Sequence, residues 1–150
     1  MNLPFLRNLP SLGRRPLFRI VANAEATATG AEAALQHLLA ELPELLMAAV
    51  VTLGSGQVLA SYATQPQLWP STAAPFWTAA VQQLQASQAA QGPGPEQLEE
   101  VLVTLPAQLH LLRLAPRGHY LLCLAIGAAD TNLALAREIM RQAIDLLETT

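Results

Sequence analysis

The sequence predicts one α+β domain (mixed α/β class), with helices covering both faces of a five-stranded antiparallel sheet. Helical and extended segments alternate in the order αββαβββα, and short turns rich in Gly and Pro join consecutive strands. Such short connections make neighbouring strands antiparallel. Two of the strands are apolar at nearly every position, and such strands need cover on both sides. The 150 residues, 52% of them apolar, suffice for one domain with its own core.

The first half of the chain predicts a helix followed by a hairpin. Thr29 and Glu32 fit a capping box, and apolar residues then recur at helical spacing until Pro43 ends the helix. The apolar run 45–53 has the pattern of a strand buried on both faces. A Gly-Ser-Gly turn follows it, and residues 57–62 return as the second strand.

The second helix begins after two chain-breaking prolines, with Ser71 or Thr72 as its cap. Its predicted buried stripe consists of Trp77, Ala80, Val81 and Leu84. A Gly-Pro-Gly-Pro run ends it. Many of its remaining positions are Gln and Ser, and none is charged. An ordinary solvent-facing helix carries charged residues on its outer face.

Three strands and a helix complete the predicted fold. The strands cover 98–104, 109–115 and 120–126, and Asp130 or Thr131 caps the final helix. Spacing predicts the buried face of that helix. Its members are Leu133, Ala136, Met140, Ala143, Ile144 and Leu147.

Charge is distributed very unevenly along the chain. The 24 residues before Glu25 contain four Arg and no acid. From Glu25 onward, acids outnumber Arg by 11 to 4. We therefore divide the chain into a basic N-terminal arm, 1–28, and a domain, 29–150. Residues before about Ala24 lack a periodic pattern, so we expect them to be mobile or docked on a neighbouring molecule. No charge occurs between Glu44 and Glu96, which favours a surface that another protein covers.

Composition excludes several function classes. The absence of Lys rules out a Walker A loop, a Schiff base and a Ser-Lys nucleophile pair. A net charge of −3 disfavours nucleic acid as a partner. The single Cys indicates a reducing compartment, and the apolar runs are too short to span a membrane. We expect a cytoplasmic protein without a membrane span.

No group of side chains predicts catalysis, a metal or a cofactor. Gly54-Ser55-Gly56 lacks the spacing of a nucleophile or phosphate motif and is interpreted as a hairpin turn. The three His residues have no Cys or acid at ligand spacing, and Cys123 lies in the most apolar strand. Trp69 and Trp77 are instead candidates for a protein interface, where Trp is enriched.

Three motifs in this order resemble the roadblock / dynein light chain family. The segment 50–61, VVTLGSGQVLAS, is similar to the first hairpin of that family. The segments 111–114 and 120–124 are similar to its last hairpin, and NLALAR at 132–137 to the start of its final helix. The resemblance covers roughly residues 31–147.

The resemblance implies a profilin-like sheet with one helix on one face and two on the other. It also implies a homodimer whose third strands pair, and a non-enzymatic subunit that in bacteria binds and regulates a small Ras-like GTPase. Two alternatives stay open: a scaffold that pairs with another roadblock-type chain, and a sensor with a small-molecule pocket. The predicted interface combines the charge-free helix with the third strand. Its residues are Trp77, Val81, Gln85, Gln88, Leu98, Glu100, Val101, Leu102 and Val103.

Overall fold

The computed structural model describes residues 20–129 and 132–147. The helices are α1 (Ala26–Thr29), α2 (Ala31–Glu41), α3 (Pro70–Ala90) and α4 (Leu133–Ile144), with a 3₁₀ turn at Pro66–Leu68. The strands are β1 (Val21–Ala22), β2 (Leu45–Thr52), β3 (Val58–Ala63), β4 (Glu100–Thr104), β5 (Gln108–Leu114) and β6 (Tyr120–Gly127).

The strands form one antiparallel sheet in the order β1-β3-β2-β6-β5-β4. The apolar strands β2 and β6 lie at its centre, as their lack of polar alternation predicts, and β4 lies at one edge. The predicted antiparallel α+β fold is thus confirmed, with six strands instead of five.

The additional strand is β1, within the predicted basic arm. Val21 pairs with Ser61, and Ala22 with Ala60. Two residues of the predicted arm, Val21 and Ala22, are therefore docked on the sheet of their own chain. A two-residue strand offers no periodicity that sequence reasoning can detect.

Helices cover the two sheet faces unequally. Helices α2 and α4 pack on one face, where buried side chains such as Leu35 and Met140 meet Val50 and Leu124. Helix α3 packs on the other face, where Val81 joins a cluster with residues of β2, β5 and β6. This is the arrangement that the resemblance implies.

The predicted helix caps are wrong at both the first and the last main helix. Thr29 is the last residue of α1, and the N-cap of α2 is Gly30, whose φ of 75° is left-handed and favours Gly. Helix α4 is capped by Asn132, whose side chain accepts a hydrogen bond from the Leu135 amide at 3.1 Å. The predicted caps Asp130 and Thr131 lie outside the described residues.

Candidate interaction surface

Helix α3 has one buried face that fixes its position on the sheet. It starts at Pro70, and its N-cap is Trp69 and not the predicted Ser71 or Thr72. Its buried residues are Pro70, Ala74, Thr78 and Val81. The predicted stripe shares only Val81 with this set, because a helix of Ala and Gln has too little apolar contrast to indicate its orientation.

Polar contacts within and below α3 reinforce this orientation. The buried Thr78 hydroxyl donates to the backbone carbonyl oxygens of Ala74 and Pro75, both at 3.1 Å. Gln82 Nε2 donates to the Leu53 carbonyl oxygen at 3.1 Å, which ties the helix to the end of strand β2. The opposite face of α3 is consequently held outward.

The outward face of α3 carries no charge and contains an apolar stripe among Thr, Gln and Ser residues. Phe76 is 74% exposed and Leu84 is 45% exposed, and the exposed Ala80 lies between them at four-residue spacing. Residues spaced by four lie on the same side of a helix. Trp69, at the start of the helix, is 43% exposed. Sequence reasoning did not single out Phe76, although its spacing from Ala80 and Leu84 was a usable signal.

Within the part of the chain that the structure describes, the backbone of β4 has an unpaired side. Leu105 donates to Gln108, and Leu114 donates to Glu99, so the hydrogen-bonded pairs of β4 with β5 fall on odd-numbered β4 residues. The N–H and C=O groups of the even-numbered β4 residues therefore point away from β5. These residues are Glu100, Leu102 and Thr104. We call the outward face of α3 together with the free side of β4 the association surface.

A groove separates the C-terminal half of α3 from the edge strands. Gln85 and Gln88 line it from the helix, and Leu98 and Leu114 line it from the sheet side, with a volume of about 1190 Å³. Gln88 Nε2 also donates to the Glu96 carbonyl oxygen at 3.1 Å. Three of the predicted interface residues thus share one groove.

The edge-strand residues of the predicted interface divide between the two sheet faces. Val101 packs with the cluster beneath α3, and Val103 is 39% exposed on the same side of the strand. Leu102, 38% exposed, alternates to the other side. Trp77 is half-buried and packs against the cluster beneath α3 and against the neighbouring cluster around Met47. Val81 is fully buried, so its assignment to an interface is wrong.

Glu100 is engaged within its own chain. Its Oε2 accepts a hydrogen bond from Arg137 Nε of α4 at 2.8 Å, and its Oε1 lies 3.7 Å from Arg113 Nη1. The Glu100 side chain is only 13% exposed. These contacts tie the edge strand to α4, so the carboxylate stabilises the position of β4, and only its backbone faces outward.

Cys123 and His110, the described Cys and the most central His of the sheet, occupy structural positions. Burial raises the pKa of the Cys123 thiol well above its usual value, which keeps it protonated. Burial lowers the pKa of His110, which lies opposite Ala125 and hydrogen-bonds Gln108 at 2.8 Å. Over residues 20–129 and 132–147, no three His, Cys, Asp or Glu side chains are grouped so as to hold a metal ion.

None of the helices within the described ranges has the length and apolar character needed to cross a membrane.

The Gly54-Ser55-Gly56 segment joins β2 to β3, as predicted, and Gly56 has a left-handed φ of 73°.

Several solved structures share this fold. Myxococcus xanthus MglB superposes with a TM-score of 0.66 at 14% identity, covering 76% of this chain and 88% of that chain. The gliding protein MglB from Thermus thermophilus gives 0.64 at 20% identity, covering 85% and 90%. A Roadblock/LC7 domain from Streptomyces avermitilis gives 0.61 at 16% identity, covering 77% and 89%. No family model and no curated protein matches the sequence.

The fold is therefore that of a roadblock domain, as the sequence motifs indicated. It is specifically similar to the fold of bacterial MglB. At identities of 14–20% this likeness establishes the fold.

Proposed function

We propose that this protein is a non-enzymatic regulatory subunit of the cytoplasm that forms a homodimer and binds a small Ras-like GTPase. The observation that carries the proposal is the association surface. It combines an outward helix face that has no charge with a sheet edge whose backbone groups have no neighbouring strand among residues 20–129 and 132–147. An unprotected edge of this kind favours strand pairing.

The free side of β4 is suited to pairing with a second copy of itself. Antiparallel pairing about a two-fold axis would place Leu102 opposite its own copy, and Glu100 opposite Thr104 of the other chain. Each outward N–H would then meet a C=O group of the second strand. The two sheets would become continuous, and the β4 edge of each chain would be covered.

The two α3 helices would lie near each other across the same axis. Covering Phe76, Ala80 and Leu84 removes apolar surface from water, which stabilises an interface. Because α3 carries no charged side chain, this contact needs no ion to be desolvated.

Two observations support a regulatory role over a catalytic one. The sequence contains no Lys, and the described thiol is buried with a raised pKa. A subunit that performs no chemistry itself can still alter GTP hydrolysis by ordering the switch segments of the GTPase. The GTPase partner rests on the family resemblance of the motifs at 50–61 and 132–137.

The alternatives differ in what they require of the surface. A scaffold would use the same β4 edge and α3 face for a different roadblock-type chain. A small-molecule sensor would need an enclosed apolar pocket with convergent polar groups. The groove beside Gln85 is instead open and bordered by polar and charged side chains, which favours a protein partner.

Binding assays with purified proteins can separate these functions. The full chain is mixed with small Ras-like GTPases from its own genome, loaded with GDP or a non-hydrolysable GTP analogue, and complexes are detected by size-exclusion chromatography with light scattering. We expect a homodimer that binds one GTPase with a preference for one nucleotide state. If the chain binds none of the GTPases but forms a complex with another roadblock-type protein, the scaffold function would be established instead.

A further inference from the structure

A small apolar pocket lies between the end of α2 and the start of α4. Leu42, Ile126, Leu135 and Ala136 line it, and its volume is about 180 Å³. The Leu135 side chain in this lining is 49% exposed, so part of the apolar lining is open to solvent. A cavity of about 150 Å³ is large enough for benzene, so this pocket can take one Phe or Leu side chain.

Two acids border the same pocket. Glu41 ends α2 and Glu44 precedes β2; both line the pocket and both are exposed. Neither forms an ion pair within the described residues. An apolar pocket with unpaired carboxylates at its rim fits a segment that carries a large apolar residue close to Arg.

The N-terminal arm has this composition. Residues 1–19 contain four Arg and no acid, and Phe5 is followed by Leu6 and Arg7. The remainder of the chain carries four Arg and 11 acids, so the charges of arm and domain are complementary.

The fold also directs the arm toward this pocket. Since Val21 pairs with Ser61 and Ala22 with Ala60, the chain runs backward from β1 toward the C-terminal end of β3. That end of β3 adjoins the start of β2, and Leu45 of β2 pairs with Ile126 in the pocket wall. Ile20 packs on the same core cluster as Ile126. Ile20, where the arm joins the described structure, and the pocket therefore lie at one end and on one face of the sheet.

Distance excludes Phe18 but allows Phe5 to reach the pocket. Three strand spacings separate β1 from β6, which is about 14 Å. Phe18 is two residues from Ile20 and extends at most about 7 Å from it, whereas Phe5 is fifteen residues away and can extend about 50 Å.

We propose that the pocket is a peptide-binding site occupied by this chain's own N-terminal arm, with the Phe5 ring in the pocket and Arg7 against Glu41 and Glu44. The site is separate from the association surface, since it lies on the α2 and α4 face near β6, away from β4. Release of the arm would leave the pocket open to an apolar, Arg-containing segment of another protein.

Limited trypsin digestion of the full chain tests the docking directly. Trypsin cuts after Arg or Lys, and this chain has no Lys, so cleavage after Arg7 and Arg14 reports on the arm. The double variant Glu41→Gln/Glu44→Gln should accelerate both cleavages about two- to thirtyfold, the range for losing two exposed ion pairs. The matched control Glu96→Gln/Glu99→Gln removes the same charge from exposed positions elsewhere and should leave the rates unchanged.

A second measurement identifies what the arm contacts. Phe5→p-benzoylphenylalanine in the full chain should photo-crosslink to the segment containing Leu42 or Leu135 and run at the mass of one chain, 16.0 kDa. The same substitution at Phe18 is the control and should not reach those segments. Equal cleavage rates in both double variants and wild type, a crosslink between two chains, or arm protection that appears only with anionic phospholipid vesicles would each overturn the proposal.

Discussion

Substitution of Leu102 by Pro separates dimer formation from folding. In one chain the Leu102 N–H points away from β5, so losing it breaks no hydrogen bond of the sheet. Pro is tolerated at such an edge position. In the proposed dimer the same N–H donates across the two-fold axis, so the substitution acts on the interface alone. Val101→Pro would be a poor test, because the Val101 N–H points toward β5.

The two-fold axis doubles the effect of Leu102→Pro. Each dimer loses two donors and leaves two carbonyl groups without partners. An unpaired buried polar group costs about 1–3 kcal/mol, so the dimer should lose about 2–6 kcal/mol. This corresponds to a dissociation constant raised at least about thirtyfold. Leu102→Ala keeps the N–H and removes only a side chain that is 38% exposed, so it should weaken the dimer far less.

Sedimentation equilibrium over a range of concentrations measures both variants. Wild type and Leu102→Ala should approach twice the 16.0 kDa chain mass at micromolar concentration, and Leu102→Pro should remain near one chain mass. Far-ultraviolet circular dichroism should show an unchanged fold. If Leu102→Pro forms a dimer as tight as Leu102→Ala, β4 does not pair with its copy.

Three further changes probe the surface and the core. Phe76→Asp should weaken the dimer at least about tenfold by placing a charge in its apolar contact, whereas Ala40→Asp on exposed α2 should not; equal sedimentation of the two would exclude α3 from the interface. Gly30→Ala should lower the free energy of unfolding by more than about 1 kcal/mol, because the φ of 75° is unfavourable and the added Cβ would overlap the Leu146 carbonyl oxygen; an unchanged denaturant midpoint would contradict this. The Cys123 thiol should react with Ellman's reagent at neutral pH only after unfolding, since it is buried and its pKa is raised; rapid reaction in the native state would show the core to be open.

The central strands of the sheet could be predicted because the order of apolar and polar residues indicates their positions. The continuous apolar runs of β2 and β6 allow only a position covered on both faces. The Gly-Ser-Gly turn fixes the hairpin between β2 and β3. The buried face of α4 followed from spacing, with Ala136, Met140 and Ala143 all buried as expected.

Features that depend on tertiary contacts were not predictable in the same way. Thr29 has the local chemistry of an N-cap, but its hydroxyl donates to the backbone carbonyl oxygens of Glu25 and Ala26 within α1. The tight approach of Gly30 to Leu146 then sets the start of α2. Such long-range contacts override local capping preference.

Two features could be learned only from the structure, for different reasons: which face of α3 is buried, and which backbone groups of β4 point outward. Ala and Gln on several sides of α3 left its buried face ambiguous, so Leu84 was expected in the core and lies outside it. Which β4 amides are free depends on register, because a shift of one residue exchanges the inward and outward groups. Sequence indicated the elements of the association surface, and the structure identified Phe76 and Leu102 within it.

Amide hydrogen exchange at Leu102, followed by NMR at two protein concentrations, tests the proposed dimer most directly. The Leu102 amide should be protected where the chain is dimeric and should lose protection on dilution. The Val103 amide, directed toward β5, should stay protected at both concentrations. Fast exchange at Leu102 under conditions where the chain sediments as a dimer would contradict pairing through β4.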